Sequence, residues 1–124
     1  MSGHDPADLW RFLFIGYVCT VVLEALVLFL GLSARHSWKT RAIASLWLTA
    51  CTYPIVALVL PLVIEPTFGR LAYLIVAETF APLAEVTIFY FAFDRQAARR
   101  EIMRDAATIV VANLFSFGVG FALT

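Results

Sequence analysis

The chain has 124 residues, of which 62% are hydrophobic and 15% are charged, and its formal net charge at pH 7 is zero. A soluble domain of this length cannot bury so much apolar surface, so the composition predicts an integral membrane protein. The chain also lacks a basic cluster on a polar face that could hold a phosphate backbone, so we expect no nucleic acid partner.

Four apolar stretches have about the length that a helix needs to cross a bilayer core roughly 30 Å thick. In chain order they cover residues 9–32, 42–64, 71–93 and 106–123. The segments between them are short, which leaves no room for a soluble domain. The sequence therefore predicts an all-α fold, in which residues 1–124 form a single transmembrane domain built as a bundle of four helices.

The first stretch has the features of a membrane helix rather than of a signal peptide. It is preceded by Asp5, Pro6, Ala7 and Asp8, which supply an N-cap candidate, a proline at the first helical position and a carboxylate in the first turn. A basic leader and a cleavage site of small residues are missing. We expect this segment to remain in the mature protein.

Basic residues predict the orientation of the bundle. The loops after the first and third stretches hold most of them, whereas the opposite side offers only Arg11 and Arg70. Because cytoplasmic loops carry an excess of Lys and Arg, both termini are predicted to lie outside. The loop residues are Arg35, Lys39, Arg41, Arg95, Arg99, Arg100 and Arg104.

Three carboxylates, Glu24, Glu78 and Glu85, fall inside the apolar stretches. An ionised carboxylate near the centre of a membrane helix costs roughly 2.5 to 3.5 kcal/mol. No Lys, Arg or His lies deep in any stretch to act as a counter-ion. These side chains must therefore be protonated, hydrated in a cavity, or neutralised by a bound cation.

Each stretch also carries one stripe of polar or small residues at three-, four- and seven-residue spacing, and four such stripes converge naturally on a shared interior. Their oxygen and amide groups favour a proton or a hard cation over zinc or copper. Alternatively, protonated glutamates bonded to neighbouring helices simply hold the bundle together. The candidate binding residues are Glu24, Glu78, Glu85, Thr49, Thr52, Tyr53, Asn113 and Ser116.

Pro54 lies near the middle of the second stretch, directly after Thr52 and Tyr53. It lacks the N–H that would pair with the carbonyl of Ala50, so it can kink the helix and expose that carbonyl. Beside Thr49 and Thr52, the carbonyl would complete an ion or substrate site. Prolines are also tolerated in membrane helices for packing alone, and both interpretations stand.

The two halves of the chain correspond loosely. An offset of 61 residues places Glu85 on Glu24, and an offset of 64 places Asn113 on Thr49 and Ser116 on Thr52. Because the first and third stretches point the same way, this would be a parallel two-plus-two repeat with its axis along the membrane normal. Helices of similar composition also match by chance.

The sequence lacks the residues that several kinds of cofactor binding and catalysis require. The stretches contain no histidine to ligate haem, and no glycine-rich phosphate loop is present. His4 and His36 are predicted on opposite sides of the membrane, so we expect no Ser, His and Asp set to assemble. Cys19 and Cys51 lie in apolar stretches without metal spacing. We predict no enzyme activity, no cofactor and no metal.

Three short motifs, T-Y-P at 52–54, A-E at 77–78 followed by Glu85, and A-N-L-F-S at 112–116, together resemble those of small bacterial four-helix membrane proteins. The resemblance covers most of the chain. It implies a multi-pass protein of the bacterial cytoplasmic membrane, and it implies no activity.

Two functions fit these features. The first is a small transport protein or channel-like subunit, a homo-oligomer or part of a larger membrane complex, whose glutamates bind a proton or a cation. The second is an accessory subunit without turnover, whose polar stripes hold a larger membrane complex together. Residues 95–104 would then contact a cytoplasmic partner or anionic lipids.

Overall fold

The computed structural model describes residues 6–123, without the side chains of residues 6, 9, 12 and 120–123. Within this range the chain is all-α and contains four long helices. All four are long and apolar enough to cross a membrane, over Leu13–Gly31, Trp38–Val63, Glu65–Asp94 and Arg99–Val119. The predicted four-helix fold is confirmed. The helices are α1 (Pro6–Gly31), α2 (Trp38–Pro54), α3 (Leu60–Phe89) and α4 (Arg99–Leu123).

The helix of the second crossing continues beyond Pro54 through a wide π-helical turn, Ile55–Val59. Pro54 has no N–H for the carbonyl four residues earlier, and a π turn is one way in which a helix accommodates such a break. The sequence predicted a kink at Pro54, and the structure has this π turn directly after it. A second π turn, Tyr90–Asp94, ends the third crossing.

Gly69 makes the corner between the second and third crossings. Its φ of 89° and ψ of 171° interrupt α3, which is helical on both sides of it. A residue with a β-carbon rarely adopts this backbone conformation, whereas glycine does so without strain. The part of α3 before Gly69 therefore completes the second crossing. The part after Gly69 forms the third crossing.

The helices form an antiparallel ring in which α1 packs against α2 and α4, and α3 packs against the same two helices. Polar side chains join each neighbouring pair. One end of the bundle, which we call the loop end, holds residues 32–37 and 94–98. The other, the corner end, holds Gly69. The joining pairs are Tyr17 with Leu46, Thr52 with Glu85, Asn113 with Glu85, and Ser116 with Glu24.

An apolar layer fills the bundle on the loop side of its middle, and we call this layer the plug. All four helices contribute to it, and its side chains are buried. The outer surface is apolar as well, with Leu30 exposed to 84% and Leu62 to 76%. Such a surface suits lipid as its solvent. The plug consists of Leu28, Leu32, Ala44, Leu48, Phe89, Ile109 and Ala112.

Candidate functional site

A cavity of about 290 Å³ lies inside the bundle on the corner side of the plug. Its floor, next to the plug, is formed by Glu24 and Glu85. Each lies one helical turn before a plug residue, Glu24 before Leu28 and Glu85 before Phe89. The structure brings all of the predicted binding residues to this one cavity. They are Glu24, Thr49, Thr52, Tyr53, Glu78, Glu85, Asn113 and Ser116.

Glu85 is the most fully hydrogen-bonded carboxyl group of the cavity, with its residue only 2% exposed. The Thr52 hydroxyl lies 2.7 Å from its Oε2 atom, and the Asn113 side-chain amide donates to its Oε1 atom at 3.2 Å. Three helices, α2, α3 and α4, thus meet at one carboxyl group. Both donors are neutral, so they orient the group without supplying a positive charge.

Glu24 lies on α1, across the ring of helices from Glu85 on α3. Its residue is 3% exposed, and the Ser116 hydroxyl donates to its Oε2 atom at 3.1 Å. Its carboxyl group interacts directly with that of Glu85. The bundle therefore holds two carboxyl groups in contact across its interior, and only neutral hydroxyl and amide groups donate to them.

Two polar atoms of the cavity lining are buried and have no hydrogen-bond partner within residues 6–123. They are Oγ1 of Thr49, whose residue is 1% exposed, and Oε2 of Glu78. A buried polar atom without a partner costs about 1 to 3 kcal/mol. The two atoms come from different helices and line the same space. A bound group that meets both atoms would remove this cost.

Aromatic side chains form the wall between the floor and the corner end. Tyr53 stacks edge-on against Tyr17, and a β-carbon at Gly16 would overlap the Tyr53 hydroxyl. The Tyr73 hydroxyl donates to the carbonyl of Val56, inside the π turn, at 2.7 Å. The π turn thus has its own side-chain donor, and this contact fixes the third crossing against the second.

The structure adds Arg70 to the cavity lining, a residue that the sequence analysis did not include. The side chain is 64% exposed and its Nη1 atom lies 3.9 Å from Glu65 Oε1, so Arg70 marks the rim. Its place one residue after the Gly69 corner brings it there. The three glutamates of the interior still have no basic partner among the described residues at their depth.

A second buried polar cluster, which we call the latch, lies at the loop end beyond the plug. His36 Nε2 lies 2.8 Å from Asp94 Oδ1 and 3.0 Å from Asp105 Oδ2. Asp105 also accepts the main-chain N–H of Ser33 at 2.6 Å and its hydroxyl at 3.0 Å. Arg35 donates to Asp94 at 2.8 Å. The latch therefore joins the α1–α2 loop to the end of the third crossing, at Asp94, and to the second turn of α4, at Asp105.

The latch was missed in the sequence because His36 and the two aspartates lie outside the predicted stretches. The expectation that Ser, His and Asp side chains do not assemble is wrong, since Ser33, His36 and Asp105 meet. The Ser33 hydroxyl nevertheless donates to Asp105 rather than to His36, so no activated nucleophile results. His4, the other residue of that prediction, lies outside the described residues.

The latch also has the donor types of a metal site. Three possible ligand atoms, one from each of His36, Asp94 and Asp105, lie within 4.8 Å of one another. The Arg35 guanidinium already binds Asp94 Oδ1, the atom nearest to His36. A divalent ion there would face that positive charge at close range. The geometry therefore favours a cluster held by its own hydrogen bonds and by the Arg35–Asp94 ion pair over a metal centre.

Two further arginines, Arg41 of α2 and Arg104 of α4, bind the end of α1. Arg41 donates to the carbonyls of Phe29 at 2.7 Å and Ser33 at 3.0 Å, and Arg104 donates to Gly31 at 2.8 Å. The last carbonyls of a helix have no partner within it, and basic side chains are suitable donors for them. These residues therefore have a structural role besides their contribution to loop charge.

Two hydrogen bonds of the floor are related in the way that the proposed repeat predicts, whereas the Asn113–Glu85 bond has no counterpart at Thr49. Under the two offsets, Glu24 corresponds to Glu85, and Thr52 corresponds to Ser116. Thr52 of the first half bonds Glu85 of the second, and Ser116 of the second half bonds Glu24 of the first. The halves exchange equivalent contacts, although the repeat itself stays a prediction.

No protein family, curated protein or solved structure matches the chain. The resemblance to small bacterial membrane proteins therefore also stays a prediction, and the function must be argued from the geometry of the cavity.

Proposed function

We propose that the protein is a small transport protein or channel-like subunit in which Glu24, Glu78 and Glu85 bind a proton or a cation inside the bundle. The observation that carries the proposal is the contact between Glu24 and Glu85 on the floor of a cavity of about 290 Å³. Among the described residues that line this cavity, the one basic side chain is Arg70 at the rim.

The chemistry follows from the carboxyl pair. Two carboxylates in contact repel each other, so the pair is stable when a proton or a cation lies between them. The donors Thr52, Asn113 and Ser116 leave part of the oxygen lone pairs free, and oxygen ligands suit a proton or a hard cation. Exchange of a proton for another cation on the same pair would link their movements.

The proposed setting is the cytoplasmic membrane of a bacterium, with the corner end outside and the protein assembled as a homo-oligomer or within a larger complex. The excess of basic residues at the loop end supports this orientation. Single cysteines placed at Lys39 and Thr67, in a background without Cys19 and Cys51, test it in intact cells. An impermeant maleimide should label the Thr67 position and leave the Lys39 position unlabelled.

Flux into proteoliposomes tests the function. Purified protein is reconstituted with a pH-sensitive dye trapped inside, and proton or sodium gradients are imposed. We expect flux in the native protein and its loss in Glu24→Gln and Glu85→Gln. Glu101→Gln is the matched control, because Glu101 is a glutamate near the loop end, outside the cavity lining. Absence of flux, or equal flux in all variants, would reject the proposal.

The second candidate is an accessory subunit, and the loop end supplies an observation in its favour. Arg95, Arg99 and Arg100 are exposed there. Exposed basic residues beside a membrane attract anionic lipid headgroups or an acidic partner. Stoichiometric co-purification of larger subunits in mild detergent, together with absence of flux, would favour this candidate.

A further inference from the structure

The size and walls of the cavity indicate what kind of cation it takes. A volume of about 290 Å³ is large for a proton or a bare metal ion, because one water molecule occupies roughly 30 Å³. Tyr53, Tyr73 and Phe117 line the space beside the carboxyl groups. The faces of aromatic rings attract cations, most strongly where water is excluded. An organic cation fits these walls better than an inorganic one.

Glu78 offers a cation two acceptors at one place. Its Oε2 atom is buried and has no hydrogen-bond partner in the described part of the chain. Four residues later, Pro82 lacks the N–H that would pair with the main-chain carbonyl of Glu78 in a regular helix. A side-chain oxygen without a partner and a main-chain carbonyl without its usual N–H donor therefore lie on the same turn of α3, and both can accept from a cation.

Glu78 also connects the cavity to the outer surface. It lines the interior cavity and, in addition, an apolar groove along the contact between α3 and α4, which we call the seam. The other seam residues are mainly small or apolar, and none of the described residues that line it is basic. They include Pro82, Leu83 and Val86 of α3, and Met103, Ala107 and Val110 of α4.

We propose that the cavity takes lipophilic organic cations, which enter it sideways from the bilayer through the seam and meet Glu78 as their first acidic contact. The inference rests on the proposed transport function and names its substrate class. The apolar substituents of such a cation suit the seam, and its charge suits the acceptors at Glu78. At the aqueous rim, by contrast, Arg70 repels a cation.

Surface plasmon resonance on the protein in nanodiscs of neutral lipid, with empty nanodiscs subtracted, tests the inference. The probes are tetraphenylphosphonium, its anionic counterpart tetraphenylborate, and the small hydrophilic cation tetramethylammonium. We expect saturable binding of tetraphenylphosphonium, at least about tenfold weaker binding of the other two, and a loss of about tenfold or more in Glu78→Gln. Equal binding of the anion or of tetramethylammonium would overturn the substrate class.

Ala107→Phe tests the route. Ala107 is exposed in the seam, and a phenyl ring there should lower the association rate of tetraphenylphosphonium about tenfold. Val22→Phe places the same ring on the exposed surface of α1 and should leave the rate unchanged. Unchanged helicity by circular dichroism and unchanged elution show that each variant is folded. An unchanged rate in Ala107→Phe would overturn entry through the seam.

The two proposals fail separately. If tetraphenylphosphonium does not bind but proton or sodium flux depends on Glu85, the substrate class is wrong and the transport function stands. If neither binding nor flux is observed, both proposals fall.

Discussion

The floor of the cavity and the latch each hold two buried acidic side chains, yet they differ in what surrounds them. In the latch, His36 and Arg35 lie within hydrogen-bonding distance of Asp94, and Asp105 has His36 and two donors of Ser33. At the floor, Glu24 and Glu85 have hydroxyl and amide donors alone, while the two acidic groups interact with each other in both places.

The comparison shows that burial by itself does not mark a functional carboxyl group. The latch contains basic partners of its own, Arg35 and His36, which lie within hydrogen-bonding distance of its carboxylates when the chain folds. The floor contains none, so its balance depends on a proton or a cation from outside. We therefore expect the latch to govern stability and the floor to govern binding, and the following changes test that division from the largest effect to the smallest.

Removing a latch carboxylate should have the largest effect on stability. Asp105→Ala leaves His36 and the main-chain N–H of Ser33 buried without this partner. Each buried donor left without its acceptor costs about 1 to 3 kcal/mol, and Asp105 accepts from Ser33 twice and lies 3.0 Å from His36 Nε2. Denaturant unfolding in detergent micelles, followed by circular dichroism, measures the loss.

Glu65→Ala is the control for this change, because Glu65 is 37% exposed and lies 3.9 Å from Arg70. An exposed ion pair contributes about 1 kcal/mol or less. If the Asp105 and Glu65 variants unfold at the same denaturant concentration, the latch does not hold the loop end together.

Crowding the cavity wall should have an intermediate effect. In Gly16→Ala the new β-carbon would overlap the Tyr53 hydroxyl, so the ring must shift, at a cost of roughly 1 to 3 kcal/mol. The shift should also weaken binding in the cavity and leave the latch unchanged.

Gly118→Ala is the matched comparison, because nothing lies within 4 Å of its β-carbon position. In α4 this change should stabilise the protein by about 0.5 to 1 kcal/mol. Thermal melts of the two variants should therefore shift in opposite directions. A shift in the same direction would contradict the close contact at Gly16.

Neutralising a floor carboxyl group should alter stability little and abolish flux. In Glu85→Gln the side-chain oxygen still accepts the Thr52 hydrogen bond, and the Asn113 amide can rotate so that its oxygen accepts from the new NH2 group. The change in unfolding free energy should stay within about 1 kcal/mol. A double-mutant cycle with Glu24→Gln should give a coupling of roughly 0.5 to 3 kcal/mol, since the two groups are in contact. Additive effects would show that the pair does not act as one unit.

The smallest effect on stability is expected at the rim. Arg70 is mostly exposed, so Arg70→Gln should change the unfolding free energy by about 0.5 kcal/mol or less. Loss of its charge should raise the initial rate of cation flux from the corner end a few-fold, at low salt above all. Arg95→Gln, exposed at the loop end, should leave that rate unchanged. A decrease in Arg70→Gln would mean that the guanidinium helps to bind the substrate.

The fold and the cavity lining were predictable because they depend on local patterns. Apolar length predicts the crossings, and the helical spacing of polar residues predicts which faces turn inward. Glu24, Thr49, Glu85 and Asn113 all lie at matched depth for this reason. Their presence at one cavity needed no information about individual contacts.

The latch and the seam were not predictable in the same way. His36, Asp94 and Asp105 lie at the ends of helices, where sequence spacing does not determine how two loops meet. Glu78 was predicted as an interior residue, but its second face toward the seam depends on how closely α3 and α4 pack. The position of Arg70 depends on the corner at Gly69, whose φ of 89° no periodic pattern contains.

The plug closes the bundle between the cavity and the loop end. Leu28, Leu48, Phe89 and Ile109 fill the bundle between the floor and the latch. A layer of close-packed apolar side chains excludes the chain of water molecules along which protons and hydrated ions move. In this conformation the cavity ends at the plug, so the described structure has no continuous water path from the cavity to the loop end. The proposed transport would therefore require these four side chains to move.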